Sequence, residues 1–163
     1  MIVVVCGVAG VGKTTVGRLL AEELGWVFYD ADDFHPAENI DKMRRGIPLT
    51  DEDRGPWLER LWQLIEQCIN VEISAVLACS ALKKAYRDRL RVSDDVRFVF
   101  LRGSRARVAA QLQERRGHFA DPAILDSQFD DLEEPRPPEP VLAFEIMDNV
   151  HDLVAQIRTK LGR

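Results

Sequence analysis

Short apolar runs alternate with longer segments of mixed polarity along the whole chain. Four runs stand out, at residues 2–6, 26–30, 73–79 and 96–101, and a fifth, less regular one covers residues 141–147. Most of them are nearly continuous in apolar residues instead of alternating with polar ones, which is typical of parallel strands buried on both faces. The pattern therefore predicts a central parallel sheet covered by helices on both sides.

Helical spacing fills the intervals between these strands. Residues 13–24 are rich in helix formers and end at Gly25, a suitable C-cap. Residues 56–69 are expected to form a second helix, with Pro56 in its first turn. The apolar positions that recur at helical spacing there are Leu58, Leu61, Trp62, Ile65, Cys68 and Ile69.

The C-terminal half continues the same alternation. Asp121 and Pro122 form an N-cap and N1 pair that opens a helix, and a last helix is expected over residues 150–161. The proline-rich segment 133–140 is a connector, because proline removes backbone donors and clashes with the preceding helical turn. Strands alternating with helices predict a single three-layer α/β domain over residues 1–163.

Composition and charge exclude several classes of protein. The chain has 163 residues, 46% of them hydrophobic, which is enough for one core without disulfides or structural metals. Its formal net charge of −5 favours neither a nucleic acid nor an anionic membrane as partner. No apolar stretch approaches the roughly 20 residues that span a bilayer, and the N-terminal run lacks the basic leader of a signal peptide.

The three cysteines point to the same cellular setting. Cys6, Cys68 and Cys79 are odd in number, form no CxxC pair and lie in apolar stretches. Reduced thiols in a cytoplasmic protein show this distribution. We therefore expect no disulfide framework and a cytoplasmic location.

The strongest chemical motif is a glycine-rich loop between the first strand and the first helix. The segment GVAGVGKT matches the phosphate-loop pattern GxxxxGK[ST], and its context of strand before and helix after is the one the motif requires. The predicted nucleotide-binding residues are Gly7, Val8, Ala9, Gly10, Val11, Gly12, Lys13, Thr14 and Thr15. A glycine-rich turn with an exposed lysine is the alternative, but strand, spacing and helix all favour nucleotide binding.

Each part of this loop has an expected task. Glycines let the backbone wrap closely round a phosphate, and successive N–H groups with the helix N-terminus supply positive potential. Lys13 is expected to reach the β- and γ-phosphates of ATP, Thr14 to ligate Mg²⁺, and Thr15 to contact the α-phosphate. GTPases and motor ATPases share the loop, but the chain has no NKxD motif and no room for motor machinery. A small-molecule kinase is therefore the favoured class, with a non-catalytic nucleotide-binding module as its rival.

Two carboxylates follow the second strand. Asp30 and Asp32 lie two residues apart at a strand end, so both are expected on one side of the chain at the edge where α/β sheets bind ligands. Acids at such a position also serve as turn or cap residues, and from the residues alone both roles remain open.

Several longer stretches carry a resemblance to a known family. They read FYDADDFHP, GIPLTDEDRGPWL, ACSALKKAYRDRLR, RRGHF and SQFDDLEEP, and together they closely resemble the gluconokinase family. The likeness runs from the phosphate loop to about Pro135 and is weak beyond it. It implies a shikimate-kinase-like P-loop kinase fold with a five-stranded parallel sheet, helices on both faces and a small lid.

The resemblance also implies an activity. It implies transfer of the γ-phosphate of ATP to the 6-hydroxyl of D-gluconate, with Mg²⁺, by a protein that is commonly a homodimer. Another small hydroxy acid such as shikimate is the alternative acceptor, because the phosphate loop says nothing about the acceptor. The family pattern implies that Asp30 orients Mg²⁺ through water and that Asp32 holds the accepting hydroxyl as base, with Asp33 a spectator.

The same resemblance assigns substrate contacts. His35 is expected to contact substrate rather than only to fill a turn, and Arg54 to clamp the gluconate carboxylate rather than to form a surface ion pair. Ser80 ends the third strand and either caps the next helix or meets substrate. Lys83 and Arg87, four apart, are expected to bind the sugar acid from one helix face, with Lys84 as the alternative to Lys83.

The remaining predictions concern the lid and the adenine. The RRGHF segment corresponds to a lid over about residues 115–122, in which Arg115 contacts phosphates, Gly117 is the hinge and His118 either meets ligand or only folds the lid. Residues 148–150 are proposed to meet adenine. Other arginines, Arg102, Arg105, Arg107 and Arg116, are expected to be solvated surface charges, and Trp57, Trp62 and Phe129 to be core or dimer contacts.

Overall fold

A five-stranded, all-parallel sheet forms the centre of the protein. The computed structural model describes residues 1–114 and 122–163. The strands are β1 (Ile2–Cys6), β2 (Val27–Asp30), β3 (Ala75–Ala78), β4 (Val96–Arg102) and β5 (Val141–Glu145), in the spatial order β2-β3-β1-β4-β5. Every neighbouring pair is parallel, as the continuous apolar runs predicted.

Helices cover both faces of this sheet. They are α1 (Lys13–Leu24), α2 (Ala37–Arg44), α3 (Asp51–Asn70), α4 (Lys84–Leu90), α5 (Arg105–Glu114), α6 (Pro122–Asp131) and α7 (Val150–Leu161), with a short 3-10 helix at Ala31–Phe34. Val3 and Val5 of β1 pack in a core with α1 and α7, whereas Val4 packs on the opposite side with α3 and α4. Alternate residues of one strand thus serve two cores, which confirms the three-layer α/β architecture.

The path of the chain opens a crevice at the carboxyl edge of the sheet. β1 is followed by α1 on one face, and its neighbour β3 is followed by α4 on the other. Where adjacent parallel strands lead to helices on opposite faces, the loops separate and leave room for a ligand. The functional site is therefore expected just beyond the ends of β1 and β3.

The third helix begins earlier than its apolar spacing predicted. It starts at Asp51, because Thr50 and Asp53 form a capping box: the Thr50 hydroxyl accepts from the Asp53 N–H, and the Asp53 carboxylate accepts from the Thr50 N–H. Pro56 therefore lies inside the helix and not in its first turn. Polar residues 51–55 carry no apolar periodicity, which is why spacing alone placed the start too late.

Other boundaries follow the sequence closely. α1 ends at Leu24, and Gly25, in a left-handed conformation, is its C-cap as predicted. α6 begins at Pro122, whereas Asp121 lies outside the described residues. Ser80 does not cap the next helix, because α4 begins at Lys84 with Lys83 as its N-cap residue. Within the part of the chain that the structure describes, no helix combines the length and apolarity needed to cross a membrane.

Candidate active site

The glycine-rich loop joins the end of β1 to the start of α1. Gly12 is the N-cap of α1, with a φ of 101° that favours glycine, and no side chain caps the helix there. The N–H groups of the first turn are thus left for an anion, which the helix dipole also favours. The loop is held in place from β3, because the Gly7 N–H donates to the Ser80 carbonyl at 3.2 Å.

Helices α5 and α6 also contact this loop. A Cβ on Gly10 would lie 2.3 Å from Cγ of Leu112, so α5 packs directly against loop backbone. Gln111 donates to the Gly10 carbonyl at 3.1 Å, and Oε1 of Gln128 accepts from the Ala9 N–H at 3.0 Å. Both glutamines therefore hold the loop through its main chain.

Lys13 lies across the loop that it follows. Its ammonium donates to the Val8 carbonyl at 2.9 Å and lines the cavity described below. Burial lowers the pKa of Lys13, while the carboxylates of Asp32 and Asp30 act in the opposite direction. The cation therefore faces carboxylates across the space where a phosphate would carry negative charge.

Thr14 and Asp30 form a pair of hard oxygen donors. The Thr14 hydroxyl donates to Oδ2 of Asp30 at 3.1 Å, and Oδ1 of Asp30 accepts from the Asp32 N–H at 3.0 Å. The described residues hold no cluster of three or more His, Cys, Asp or Glu side chains. A sparse oxygen pair of this kind suits Mg²⁺, which keeps most of its water and binds phosphate through one or two protein ligands.

Asp32 follows β2 on the short 3-10 helix. Its side chain is 79% exposed and lines the cavity. Partial desolvation there raises the pKa of the Asp32 carboxyl, the Asp30 carboxylate raises it further, and Lys13 lowers it. A raised pKa makes Asp32 a better proton acceptor than an ordinary surface aspartate. Asp33, its neighbour, does not line the cavity.

A single cavity of 660 Å³ unites these groups. It is lined by the loop, by both carboxylates and by Ser80 at the end of β3. Helix α6 contributes a third wall that includes Ser127 and Gln128. A further wall is formed by Met43, Arg44, Arg45, Gly46, Ile47, Pro48 and Leu49.

His35 is a buried member of the cavity wall. It is 7% exposed, and its ring stacks on Trp57 with centroids 4.5 Å apart. Burial lowers the pKa of His35 to about 4, with a smaller effect of the Arg54 charge, so the imidazole is neutral near pH 7. Trp57 is itself buried and donates to the Ala31 carbonyl at 2.7 Å, which confirms it as a core residue.

Arg54 also lines the cavity, from the first turn of α3. It is 6% exposed, so it does not form the exposed surface ion pair that was the alternative interpretation of the sequence. Its guanidinium donates to the Tyr86 hydroxyl at 3.2 Å and to Asp131 at 3.0 Å. The arginine is therefore fixed between α4 and α6, with donors left over in its five-donor fork.

Comparison with known proteins places this geometry in a family. The shikimate kinase family model matches residues 9–138. A probable gluconokinase from Xenopus tropicalis is 43% identical, over 100% of this chain and 94% of that protein. The chain belongs to the gluconokinase family. A gluconokinase structure from Sinorhizobium meliloti 1021 (38% identical, covering 98% of this chain and 94% of that one) superimposes with a TM-score of 0.85. An unliganded sugar kinase from Janibacter sp. HTCC2649 (40% identical, 99% and 94% covered) gives 0.92.

Arg87 of this gluconokinase-family chain is buried away from the cavity. It is 1% exposed, does not line the cavity, and pairs with Glu139 at 2.6 Å. Its remaining N–H groups donate to the carbonyls of Ala81, Leu82 and Glu133. In this structure the donors of Arg87 hold the connector after α6 instead of facing the cavity, so a substrate contact of Arg87 stays an untested prediction that this geometry does not favour.

The neighbouring residues Lys83 and Lys84 also bind acidic side chains outside the cavity. Lys83 binds Asp51 at 2.9 Å, and Lys84 pairs with Asp88 one helical turn away. Neither lysine lines the cavity, so the choice between them as substrate ligand does not arise in this structure. Helical spacing predicted a shared basic face, but Lys83 precedes the helix.

Some predicted residues lie outside the described part of the chain or away from the site. Arg115, Arg116, Gly117 and His118 fall between residues 115 and 121, which the structure does not describe. Residues 148–150, proposed to meet adenine, do not line the cavity. Arg102, Arg105 and Arg107 are surface charges as expected, with side chains 40% to 54% exposed and paired with acidic residues.

Several cavity residues escaped the sequence analysis. Arg44 and Arg45 add exposed cations to the wall, and the adjacent RRG letters are the signal that could have identified them. Gln128, which lines the cavity, and Asn39, which lies behind His35 and does not line it, had no such signal, because a lone amide in a helix gives no pattern until its tertiary partner is known. Of the predicted loop residues, Val8 and Val11 are buried supports, and Thr15 is exposed without lining the cavity.

Proposed function

We propose that the protein transfers the γ-phosphate of ATP to the 6-hydroxyl of D-gluconate, giving 6-phospho-D-gluconate and ADP. The observation that carries this proposal is the single cavity, which holds a phosphate-loop lysine and a proton-accepting carboxylate together. Lys13 and Asp32 both line this cavity, and so do Thr14 and Asp30, which are hydrogen-bonded to each other. The gluconokinase names of the relatives support the choice of acceptor.

The proposed reaction assigns one task to each group. The hydroxyl oxygen of the acceptor attacks the γ-phosphorus while its proton passes to Asp32, and ADP leaves. Lys13 and the N–H groups at the start of α1 stabilise the negative charge that spreads over the phosphoryl oxygens. Mg²⁺, held by Thr14 and through water by Asp30, would neutralise phosphate charge. Arg115, outside the described residues, is proposed to add a further cation.

The acceptor end of the cavity suits a polyhydroxy acid. Arg54 is fixed by Tyr86 and Asp131, so its remaining donors can bind a carboxylate at little entropic cost. Ser80 and His35 offer hydrogen bonds to hydroxyl groups from the same cavity. Shikimate, also a hydroxy acid, is the second candidate, because the matching family model is that of shikimate kinase.

A panel of acceptors tests the proposal. Purified protein with ATP and Mg²⁺ is assayed for ADP release with gluconate, other sugar acids and shikimate at matched concentrations, with Lys13→Ala as the inactive control. We expect multiple turnover with gluconate and phosphorus–carbon coupling at C6 of the product by NMR. Turnover with shikimate alone would transfer the assignment to that acceptor, and no turnover with any acceptor would favour the non-catalytic module.

We also propose that the enzyme acts in the cytoplasm as a homodimer. Cys6, Cys68 and Cys79 are free and buried, as expected for a reducing compartment, and burial raises the pKa of Cys6 to about 12. Dimerisation is common in the gluconokinase family that the sequence resembles. Light scattering after gel filtration measures the subunit number, and a monomer at assay concentration would contradict the dimer.

A further inference from the structure

Asn39 is a buried amide with two partners that define its orientation. It lies on α2 one turn after His35, and only 2% of its surface is exposed. Its Nδ2 atom is 2.8 Å from the main-chain carbonyl oxygen of Asp53 and 3.2 Å from Nδ1 of His35. The amide thus connects α3 to the histidine of the cavity wall.

The Asp53 carbonyl decides which end of the amide faces it. A carbonyl oxygen only accepts hydrogen bonds, so the atom 2.8 Å away has to be the amide NH₂ of Asn39. The reversed amide would place two acceptors in contact inside the protein, which is costly where no water can intervene. The same NH₂ group therefore donates its second hydrogen to His35.

The tautomer of His35 follows from this contact. Because Nδ1 accepts from Asn39, it carries no proton, and the neutral ring is protonated at Nε2. Nε2 lies 3.9 Å from Oδ1 of Asp32, which is too long for a direct hydrogen bond. Two groups at this separation can both reach one oxygen atom between them. Among the described residues, Asp32 on its own segment and Arg54 from α3 are charged groups that interact with the ring.

We propose that Asn39 is a positioning residue that holds His35 as the Nε2–H tautomer, so that a substrate hydroxyl is bound from two sides. The Nε2–H of His35 donates a hydrogen bond to the substrate hydroxyl oxygen, and Asp32 accepts the proton of that hydroxyl. Trp57, stacked on the imidazole, keeps the ring plane in place. The second half of the inference rests on the proposed function, whereas the tautomer is a property of the ligand-free protein.

The tautomer is measured first, without any substrate. Two-bond ¹H–¹⁵N spectra of histidine-labelled protein distinguish bare from protonated ring nitrogens, and His35→Gln identifies the signal among the three histidines of the chain. We expect Nδ1 bare and Nε2 protonated near pH 7. The opposite tautomer, or a mixture of the two, would overturn the proposal whether or not the protein phosphorylates gluconate.

Kinetics then test the positioning role. Asn39→Leu removes the donor, and we expect kcat/KM for the acceptor to fall about 10- to 100-fold, the range found when the hydrogen-bond partner of a metal-bound histidine is removed, with the KM for ATP unchanged. His35→Gln places an amide N–H near the position of Nε2, so adding Asn39→Leu to it should cause little further loss. Equal losses in both backgrounds would mean that Asn39 only supports the fold, which overturns the proposal.

Two further outcomes remain decisive. If the Asn39→Leu protein does not fold by circular dichroism, the smaller change Asn39→Ser is used for the same cycle. If the wild-type protein has no gluconate kinase activity, the proposed function fails, and the ring-nitrogen spectra alone decide the tautomer.

Discussion

Replacing Arg87 distinguishes a structural arginine from a substrate ligand. In Arg87→Met the side chain keeps an unbranched apolar stem and loses the guanidinium, which donates from all three nitrogens in the folded protein. Its partner Glu139 is only 6% exposed, so the carboxylate would remain buried without its counter-ion. Removal of one member of a buried ion pair costs about 3–5 kcal/mol of the free energy of unfolding.

This loss of unfolding free energy predicts a measurable decrease in the melting temperature. For a chain of this size each kcal/mol lowers Tm by about 2–4 °C, so Arg87→Met should melt about 6–20 °C below the wild type. Thermal unfolding followed by circular dichroism gives Tm, and urea titration gives the free energy directly. Below the transition, the KM values for gluconate and ATP should stay near those of the wild type.

A matched control comes from the same helix. Arg89→Met removes an arginine whose ion pair with Glu59 is exposed, with side chains 43% and 49% accessible. Exposed pairs contribute about 0–1 kcal/mol, so Arg89→Met should melt within a few degrees of the wild type. An Arg87→Met protein as stable as this control, with a strongly raised KM for gluconate, would refute the structural role and restore the substrate-binding one.

The other predictions concern the site. Lys13→Ala should abolish phosphoryl transfer with little change in Tm, and unimpaired turnover of the folded variant would remove the kinase assignment. Arg54→Ala should raise the KM for gluconate far more than that for ATP, and equal effects on both would contradict the carboxylate clamp. Asp32→Asn should lower kcat by about 10²- to 10⁴-fold and be insensitive to added Mg²⁺, whereas high Mg²⁺ should partly rescue Asp30→Asn; metal rescue of the Asp32 variant alone would reverse the two roles. Because the pKa of His35 is lowered to about 4, only the unfolded chain binds this proton between about pH 6.5 and 4. Stability should therefore fall as the pH drops through that interval, and less so in His35→Gln; equal acid sensitivity of the two proteins by urea titration would show that His35 does not contribute.

Local sequence patterns were sufficient for the sheet and the phosphate loop. The run Ile2–Cys6 and the glycines after it determine a strand, a turn and a helix start within a few residues of each other, so no distant partner is needed. The beginning of α3 was missed because its signal is a capping box at Thr50 and not an apolar repeat. Boundary errors of this kind arise where polar hydrogen bonds, rather than burial, define the end of an element.

Two features of the site depend on contacts that local sequence patterns do not show. Spacing placed Arg87 on a helix face but did not show that the connector carrying Glu139 folds back over that face. Asn39 gave no signal in the sequence either, because it donates to a carbonyl of α3 fourteen residues later in the chain. Contacts between segments distant in sequence are not encoded in local periodicity, and a single sequence offers no substitute for them.

The hydrogen bond between the phosphate loop and Gln128 would make occupation of the Ala9 N–H by a ligand an exchange reaction. A ligand oxygen that accepts from the Ala9 N–H has to displace Oε1 of Gln128, so α6 and such a ligand would compete for one donor. The observed dissociation constant is then the intrinsic one divided by the fraction of molecules in which the amide has moved away. By thermodynamic reciprocity, contacts that hold α6 against the loop would weaken binding of that ligand, and the ligand would weaken those contacts to the same extent. Asp131, the last residue of the same helix, binds Arg54 of the cavity wall, so a displacement of α6 would also change the support of Arg54.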